Sequence, residues 1–161
     1  MSSSEYCAGT ISLSNELYIT DPGFAFNNNG IGVWSGSVSN MRPGKYFCTA
    51  VICNNMVKEI RIEHNSFRGR KGNKRLPFMI EVNSLQAGMF DKAYYAAASD
   101  DDEAFDALSI RADQISTGNP GFGVIDDVGF VSKSGCSNGN YKAYYGTDRE
   151  GRVVVVRLSF V

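Results

Sequence analysis

The sequence predicts an α+β domain dominated by antiparallel β-structure, a sandwich or rolled sheet, with one or two short helices between residues 91 and 113. Three observations carry that expectation. The closing segment alternates, with Val154, Val156, Leu158 and Phe160 on one face and Val153, Val155, Arg157 and Ser159 on the other. Gly is abundant at 17 residues and Pro scarce at 4, a balance that suits short strands joined by tight turns. A helical pattern is confined to one stretch, where alanines and an acidic start replace the β-branched alternation.

The elements follow in order. Leu17-Tyr18-Ile19-Thr20 reads as a short strand, and Asp21-Pro22-Gly23 turns the chain. Asn27-Asn28-Asn29-Gly30 is a second turn leading into Ile31-Gly32-Val33-Trp34. Arg42-Pro43-Gly44 punctuates again, ahead of a strand over residues 45–52. Asn54-Asn55 makes a tight turn, and residues 57–63 return as the partner strand, with Ile60 and Ile62 opposite Arg61 and Glu63. Residues 67–75 are polar and read as a loop, and residues 78–82 as a strand.

Residues 91–98 are a short helix candidate, and residues 101–113 a stronger one. Ser99 or Asp100 serves as its cap, acids fill its first turn, and Ala104, Phe105, Leu108 and Ala112 form its apolar stripe. Residues 121–131 read as one strand with a polar interruption at Asp126-Asp127, an edge-strand turn or bulge. Residues 134–140 form a tight loop, and residues 141–145 and 152–161 close the chain as a hairpin around Asp148-Arg149-Glu150-Gly151. No repeat, linker or low-complexity tract appears, so residues 1–161 are expected to form a single domain.

Composition narrows the function classes. A hydrophobic fraction of 43% and an aromatic fraction of 12% exclude a disordered chain. No apolar run approaches the roughly 20 residues that cross a bilayer, and Met1-Ser2-Ser3-Ser4-Glu5 has no signal-peptide pattern. The expectation is a soluble cytoplasmic protein with no membrane contact. Cys7, Cys48, Cys53 and Cys136 form no Cys-x-x-Cys pair, and His64 is the sole histidine. That pattern favours buried reduced thiols over structural zinc, and nothing calls for a metal or cofactor.

The net charge of -1 gives no global field toward nucleic acid, but the charge is unevenly placed. Residues 42–75 hold nine Lys and Arg against two acids, and residues 91–127 hold nine acids against Lys92 and Arg111. The basic segment suits an acidic partner, its own acidic segment, or that of a neighbouring copy.

Three stretches resemble a poorly characterised family of small β-rich proteins of bacteria and their phages. Leu17-Tyr18-Ile19-Thr20-Asp21-Pro22 is similar to that family's opening strand and Asp-Pro turn. Val82-Asn83-Ser84-Leu85-Gln86-Ala87-Gly88-Met89-Phe90-Asp91 resembles a second motif, with Asn83 and Leu85 where the family has aspartate and glycine. Gly129, Ser132, Ser134, Gly135, Asn138, Gly139 and Tyr141 resemble its serine-glycine loop, with Asn138 in place of an aspartate. The resemblance implies a β-rich fold and a mobile-element origin, and it implies no reaction.

Catalytic constellations are weak. A Ser-His or Cys-His mechanism must use His64, which sits beside a charged loop with no Gly-x-Ser-x-Gly elbow and is expected to face solvent. Asp100-Asp101-Asp102-Glu103 lacks the spacing of a calcium loop and suits helix capping. The loop with Ser134, Gly135, Asn138, Gly139 and Tyr141 offers clustered amides for an anion, against the plainer reading of a hairpin connection.

The most partner-like feature is the loop over residues 68–75, with Arg68, Arg70, Lys71, Lys74 and Arg75. Arginines there suit carboxylate or phosphate forks, and Phe67 could stack on a base. The leading expectation is a non-enzymatic binding protein, a phage or mobile-element accessory that docks on, and inhibits, a host or viral protein through an acidic surface. The alternatives are a nucleic-acid contact protein using residues 68–75, and a small-ligand binder or hydrolase near residues 134–141.

Overall fold

β-Branched and aromatic residues alternating with polar ones leave each strand with one apolar side, and that side must be covered. Two sheets facing one another meet this need. A computed structural model describes residues 3–26, 35–135 and 137–161 of the chain. The larger sheet has six strands in the order β1 (Ser4–Leu13), β4 (Gly44–Cys53), β5 (Met56–His64), β11 (Val153–Ser159), β10 (Gly139–Thr147) and β6 (Lys74–Val82). The smaller has five, in the order β3 (Gly36–Val38), β2 (Leu17–Thr20), β7 (Gln86–Asp91), β9 (Gly129–Lys133) and β8 (Phe122–Ile125). Neighbouring strands in both sheets are antiparallel. The fold is therefore the expected α+β arrangement, a sandwich of antiparallel sheets with two helices.

The core fills the space between the sheets. Tyr46, Ile60, Ile62, Ile80 and Leu158 face inward from the larger sheet, and Leu17, Ile19, Met89 and Phe130 from the smaller. Each such side chain contributes roughly 1.5–3 kcal/mol by leaving water. The opposite face of the smaller sheet presents Tyr18, Phe90 and Val131, which are apolar too. Helices α1 (Lys92–Ser99) and α2 (Asp102–Thr117) cover that face through Tyr95, Leu108 and Ala112. Neither described helix packs on the outer face of the larger sheet, where Glu59, Arg61, Glu63 and Arg157 stand. No helix among the described residues is long and apolar enough to cross a membrane.

Several expectations need correction. Strand β1 was not anticipated: its register slips between Cys7 and Gly9, so the alternation on one side of the slip is out of phase with the other. Residues 121–131 form two strands rather than one. Asp126 and Asp127, both at positive φ, lie in the turn joining β8 to β9. Helix α2 runs to Thr117, beyond the expected end at 113, and Gly118-Asn119-Pro120 follows it. Its cap is Asp101, whose carboxylate accepts from the Glu103 and Ala104 amides, whereas Ser99 and Asp100 belong to the end of α1. Phe105 packs inward, but Ala104 is exposed. The turn at 27–30 and the segment at 31–34 lie outside the described residues, as does Cys136.

The Asn54-Asn55 turn is borne out, with both residues at positive φ between the paired Cys53 and Met56. Val154, Val156, Leu158 and Phe160 are all buried as expected, and the last three join the core between the sheets. The register skips from Val155 to Val153 opposite Gly146 and Thr147, which brings Val153 rather than Val154 into that cluster. Phe160 is 8% exposed, and its ring meets Tyr141 edge-on at 5.3 Å. Replacing Phe160 with Ala should cost about 3–5 kcal/mol of unfolding free energy in urea titration. An unchanged midpoint would remove Phe160 from the core.

Candidate functional site

Antiparallel pairing sets Arg61 of β5 directly opposite Arg157 of β11 on the outer face of the larger sheet. Like charges placed so repel unless carboxylates separate them. Glu59 does this, reaching Arg61 at 3.2 Å and Arg157 at 3.1 Å. Glu63 adds a contact to Arg61 Nε at 3.1 Å, and Glu5 of β1 one to its Nη2 at 2.6 Å. Burial alone would lower the Arg61 pKa, but hydrogen bonds to Glu5 and Glu63 and their charges outweigh it and hold the group firmly protonated. The face is a ladder of ion pairs spanning three strands.

The basic loop is tied to this ladder. Its Gly69 amide donates to Glu63 at 2.8 Å, and Arg157 Nε donates to the Gly72 carbonyl at 2.7 Å. Gly72 is buried against Val155 and the Tyr145 backbone. A side chain at residue 146 would strike the Lys71 carbonyl, so the loop lies flat only over a glycine. This covering explains why Val155, on the outer face, is fully buried.

Arg68, Arg70, Lys71, Lys74 and Arg75 are all exposed, as expected of a partner-binding group. The structure does not keep them together. Arg68 lies over the Phe47 ring at 4.2 Å, and Arg70 over Phe67 at 5.6 Å. With Lys71 they line a groove of about 620 Å³ between the loop and the ladder, where five cations meet three carboxylates. Lys74 and Arg75 instead begin β6, paired with Tyr145 and Tyr144 of β10. The expected loop over 67–75 is therefore shorter, ending where the edge strand starts.

Phe67 is not free to stack on a base. Arg42 lies over its ring at 5.1 Å, Arg70 shares it, and His64 meets it edge-on at 5.6 Å. His64 itself is 5% exposed, which corrects the expectation of a solvent-facing histidine. Its Nδ1 accepts from the Ser66 amide at 3.1 Å, which leaves the proton on Nε2, 3.0 Å from the Pro43 carbonyl. Both ring nitrogens are committed to backbone, so the imidazole has no free nitrogen to serve as a base in this arrangement.

The loop near 134–141 is likewise internally satisfied. Ser134 is buried, and its hydroxyl donates to the Ser137 carbonyl at 3.0 Å, a carbonyl that also receives Tyr141 Oη at 2.8 Å. Asn138 accepts from the Leu85 amide, Gly135 packs against the Val57 carbonyl, and Gly139 opens β10 opposite Val82. The expected hairpin connection is corrected here: the loop crosses from β9 in the smaller sheet to β10 in the larger. Cys48 is buried, and burial pushes its thiol well above the usual range, while Cys7 is exposed and Cys53 intermediate. The expectation of buried thiols thus holds for Cys48 and fails for Cys7. Among the described residues no three His, Cys, Asp or Glu side chains cluster as metal ligands do.

The residues that the sequence reading missed are Glu5, Glu59, Phe47 and Arg157, which form the floor beneath the loop. Alternation in β5 also puts Glu59 on the face of Arg61 and Glu63, and that was the available signal. No family model matches the chain, and no curated protein or solved structure matches it.

Arg42 is placed over Phe67 by a second anchor. Asp148 accepts from Arg42 at 3.1 Å and from the Glu150 and Arg152 amides at 2.9 and 3.0 Å. Burial would raise its pKa, but the Arg152 amide, the Arg42 guanidinium and the Glu150 amide outweigh it and hold the carboxyl below its ordinary value of 3.8. A depressed folded pKa adds stability above the unfolded value, and that stability is lost as pH falls through the folded one. Asp148→Asn should therefore lower the urea midpoint at neutral pH, and the gap to the native protein should close as pH falls below 3.8. A gap that stays constant across this range would contradict the charge-dependent role.

Proposed function

We propose that the protein is a non-enzymatic binding protein, and that the outer face of its larger sheet docks on an acidic protein surface. One observation carries this reading: Arg68 and Arg70 are exposed yet held, each over an aromatic ring, with the loop between them latched to Glu63. A guanidinium stacked by its face keeps its in-plane N–H donors free for a carboxylate fork. Holding the cations in place before binding reduces the ordering cost that flexible surface arginines carry. The ion-pair ladder beneath supplies a rigid floor. The resemblance to phage and bacterial proteins adds the expectation of a host or viral partner, met in the cytoplasm, with inhibition as the outcome.

Phosphates would also fit such forks, so nucleic acid is the competing partner. The protein reading is favoured because the rings nearest the loop, Phe47 and Phe67, are covered by arginine and cannot serve as stacking platforms. Self-association through the basic and acidic segments takes a defined form here. The acidic helix α2 lies over one outer face of the sandwich and the basic loop over the other, so one chain cannot join them and copies would stack head to tail.

The test captures proteins from bacterial lysate on the immobilised chain, identifies them by mass spectrometry, and repeats binding with Arg68→Glu/Arg70→Glu. Anisotropy with DNA and RNA at two salt concentrations runs beside it. Charge reversal should weaken the identified acidic partner by at least about tenfold. Normal capture by the reversed protein would move the interface elsewhere. Tight nucleic-acid binding, with a steep salt slope that flattens by about one unit per lost cation, would favour the alternative.

A further inference from the structure

Unpaired charges of opposite sign stand on the two outer faces of the sandwich. Strand register places the first set. Arg61 of β5, Arg157 of β11, Tyr144 of β10 and Arg75 of β6 form one cross-strand row on the outer face of the larger sheet. Arg75 thus returns to the face that carries the basic loop, while Lys74, one residue earlier, points to the other side of β6. Lys142, two residues before Tyr144 on β10, joins Arg75 on the outer face. The carboxylates of this face are engaged: Glu5, Glu59 and Glu63 hold Arg61 or Arg157, and Glu81 accepts from Asn83. Arg68, Arg70, Lys71, Arg75 and Lys142 are exposed, and among the described residues none of them has an ion pair.

Helix α2 carries the second set. Leu108, Ala112 and Ser116 turn toward the smaller sheet, so Asp106, Ile110 and Asp113 share the face turned away from it. Asp102 and Glu103 extend that face toward the helix start, and Arg111 is the one cation in α2. These four carboxylates are exposed and have no ion pair among the described residues. Ile110, 60% exposed, stands among them as an apolar contact. The dimensions also agree. The row from Arg157 to Arg75 covers two strand spacings, about 10 Å, and the seven helical steps from Asp106 to Asp113 cover about 10 Å as well. The two faces lie on opposite sides of one molecule and cannot satisfy each other within it. A net charge of -1 leaves no strong repulsion to keep copies apart.

We propose that the acidic surface met by the basic face is helix α2 of a second copy of this chain, its Asp106 and Asp113 meeting Arg68, Arg70, Lys71 and Arg75 of the first. The proposal rests on the docking reading of that face and names its partner. The contact joins two different surfaces, so each added copy leaves one of each open and assembly runs head to tail. Exposed ion pairs are individually weak and screened by salt, so association rises with concentration at low salt and is lost at high salt. The test is sedimentation of the purified chain over a concentration series at about 0.01 M and about 1 M salt. The weight-average mass should exceed the monomer's, and rise with concentration, at low salt alone. Arg68→Glu/Arg70→Glu and Asp106→Lys/Asp113→Lys should each lower the association constant by at least about tenfold, with unchanged circular dichroism. Arg75→Glu should weaken association several-fold, and Lys74→Glu, an equal charge change on the other side of β6, should leave it unchanged. A chain that stays monomeric at low salt, association that persists at high salt, insensitivity to Asp106→Lys/Asp113→Lys, or equal effects of Lys74→Glu and Arg75→Glu would each overturn the proposal. The docking reading stands apart from these outcomes, since it is decided by whether Arg68→Glu/Arg70→Glu releases a captured acidic protein.

Discussion

The sandwich depends on two buried carboxylates at three of the four places where the chain crosses between its sheets. Asp21, at the end of β2, is fully buried. It accepts from the Gly23, Asn83 and Ser84 amides at 2.8 Å each and from the Ser84 hydroxyl. Residues 83–85 carry the chain from β6 in one sheet to β7 in the other. The β9–β10 crossing is tied to the same turn, where the Ser134 amide meets the Leu85 carbonyl and Asn138 receives the Leu85 amide. At the opposite end of the β2–β7 pair, Asp91 accepts from the Ser14 amide and hydroxyl and caps α1, beside the crossing from β1 to β2. A buried carboxylate is costly unless its lone pairs are filled, and these donors fill them.

That arrangement explains three turn-bearing stretches of the sequence, residues 17–22, 82–91 and 129–141. All three converge: β2 pairs with β7, β7 pairs with β9, and Asp21, Leu85 and Asn138 meet at one end. Their polar residues serve the frame. The Asn138 side-chain oxygen caps the Leu85 N–H at 2.8 Å. The outer face of the larger sheet, which neither described helix packs against, lies on the other side of the molecule. There, Glu59 reconciles two opposed arginines, and the basic loop is drawn down over Val155.

Much of this architecture was readable from residue order, and what escaped has physical causes. Strands β4, β5 and β11 declared themselves because their alternation is strong and Asn54-Asn55 and the 148–151 segment are turn formers. Strand β1 escaped because the slip at Gly9 breaks its phase. The division of the basic loop escaped for another reason: Lys74 and Arg75 part from Arg68 and Arg70 only because β6 pairs with β10, a contact distant in sequence. His64 looked exposed beside charged neighbours, yet Tyr46 and Phe67 enclose it from residues on either side. Local pattern reported charge and period, and long-range pairing decided where the charges point.

The buried aspartates build the frame, and the loop cations, proposed as the docking surface, are expected to carry little of the fold's stability. Comparing the melting temperatures of Asp21→Ala and Arg68→Glu/Arg70→Glu tests this most directly. Removing Asp21 leaves three amides and a hydroxyl without their acceptor, a loss of about 3 kcal/mol or more, or a fall of about 6–12 °C for a chain of this size. Reversing the two arginines forfeits only exposed ring contacts, each about 0.5–1 kcal/mol, so the fall should be about half as large or less. Equal falls, or a larger one for the arginine pair, would show that the cations hold the fold together and contradict the account.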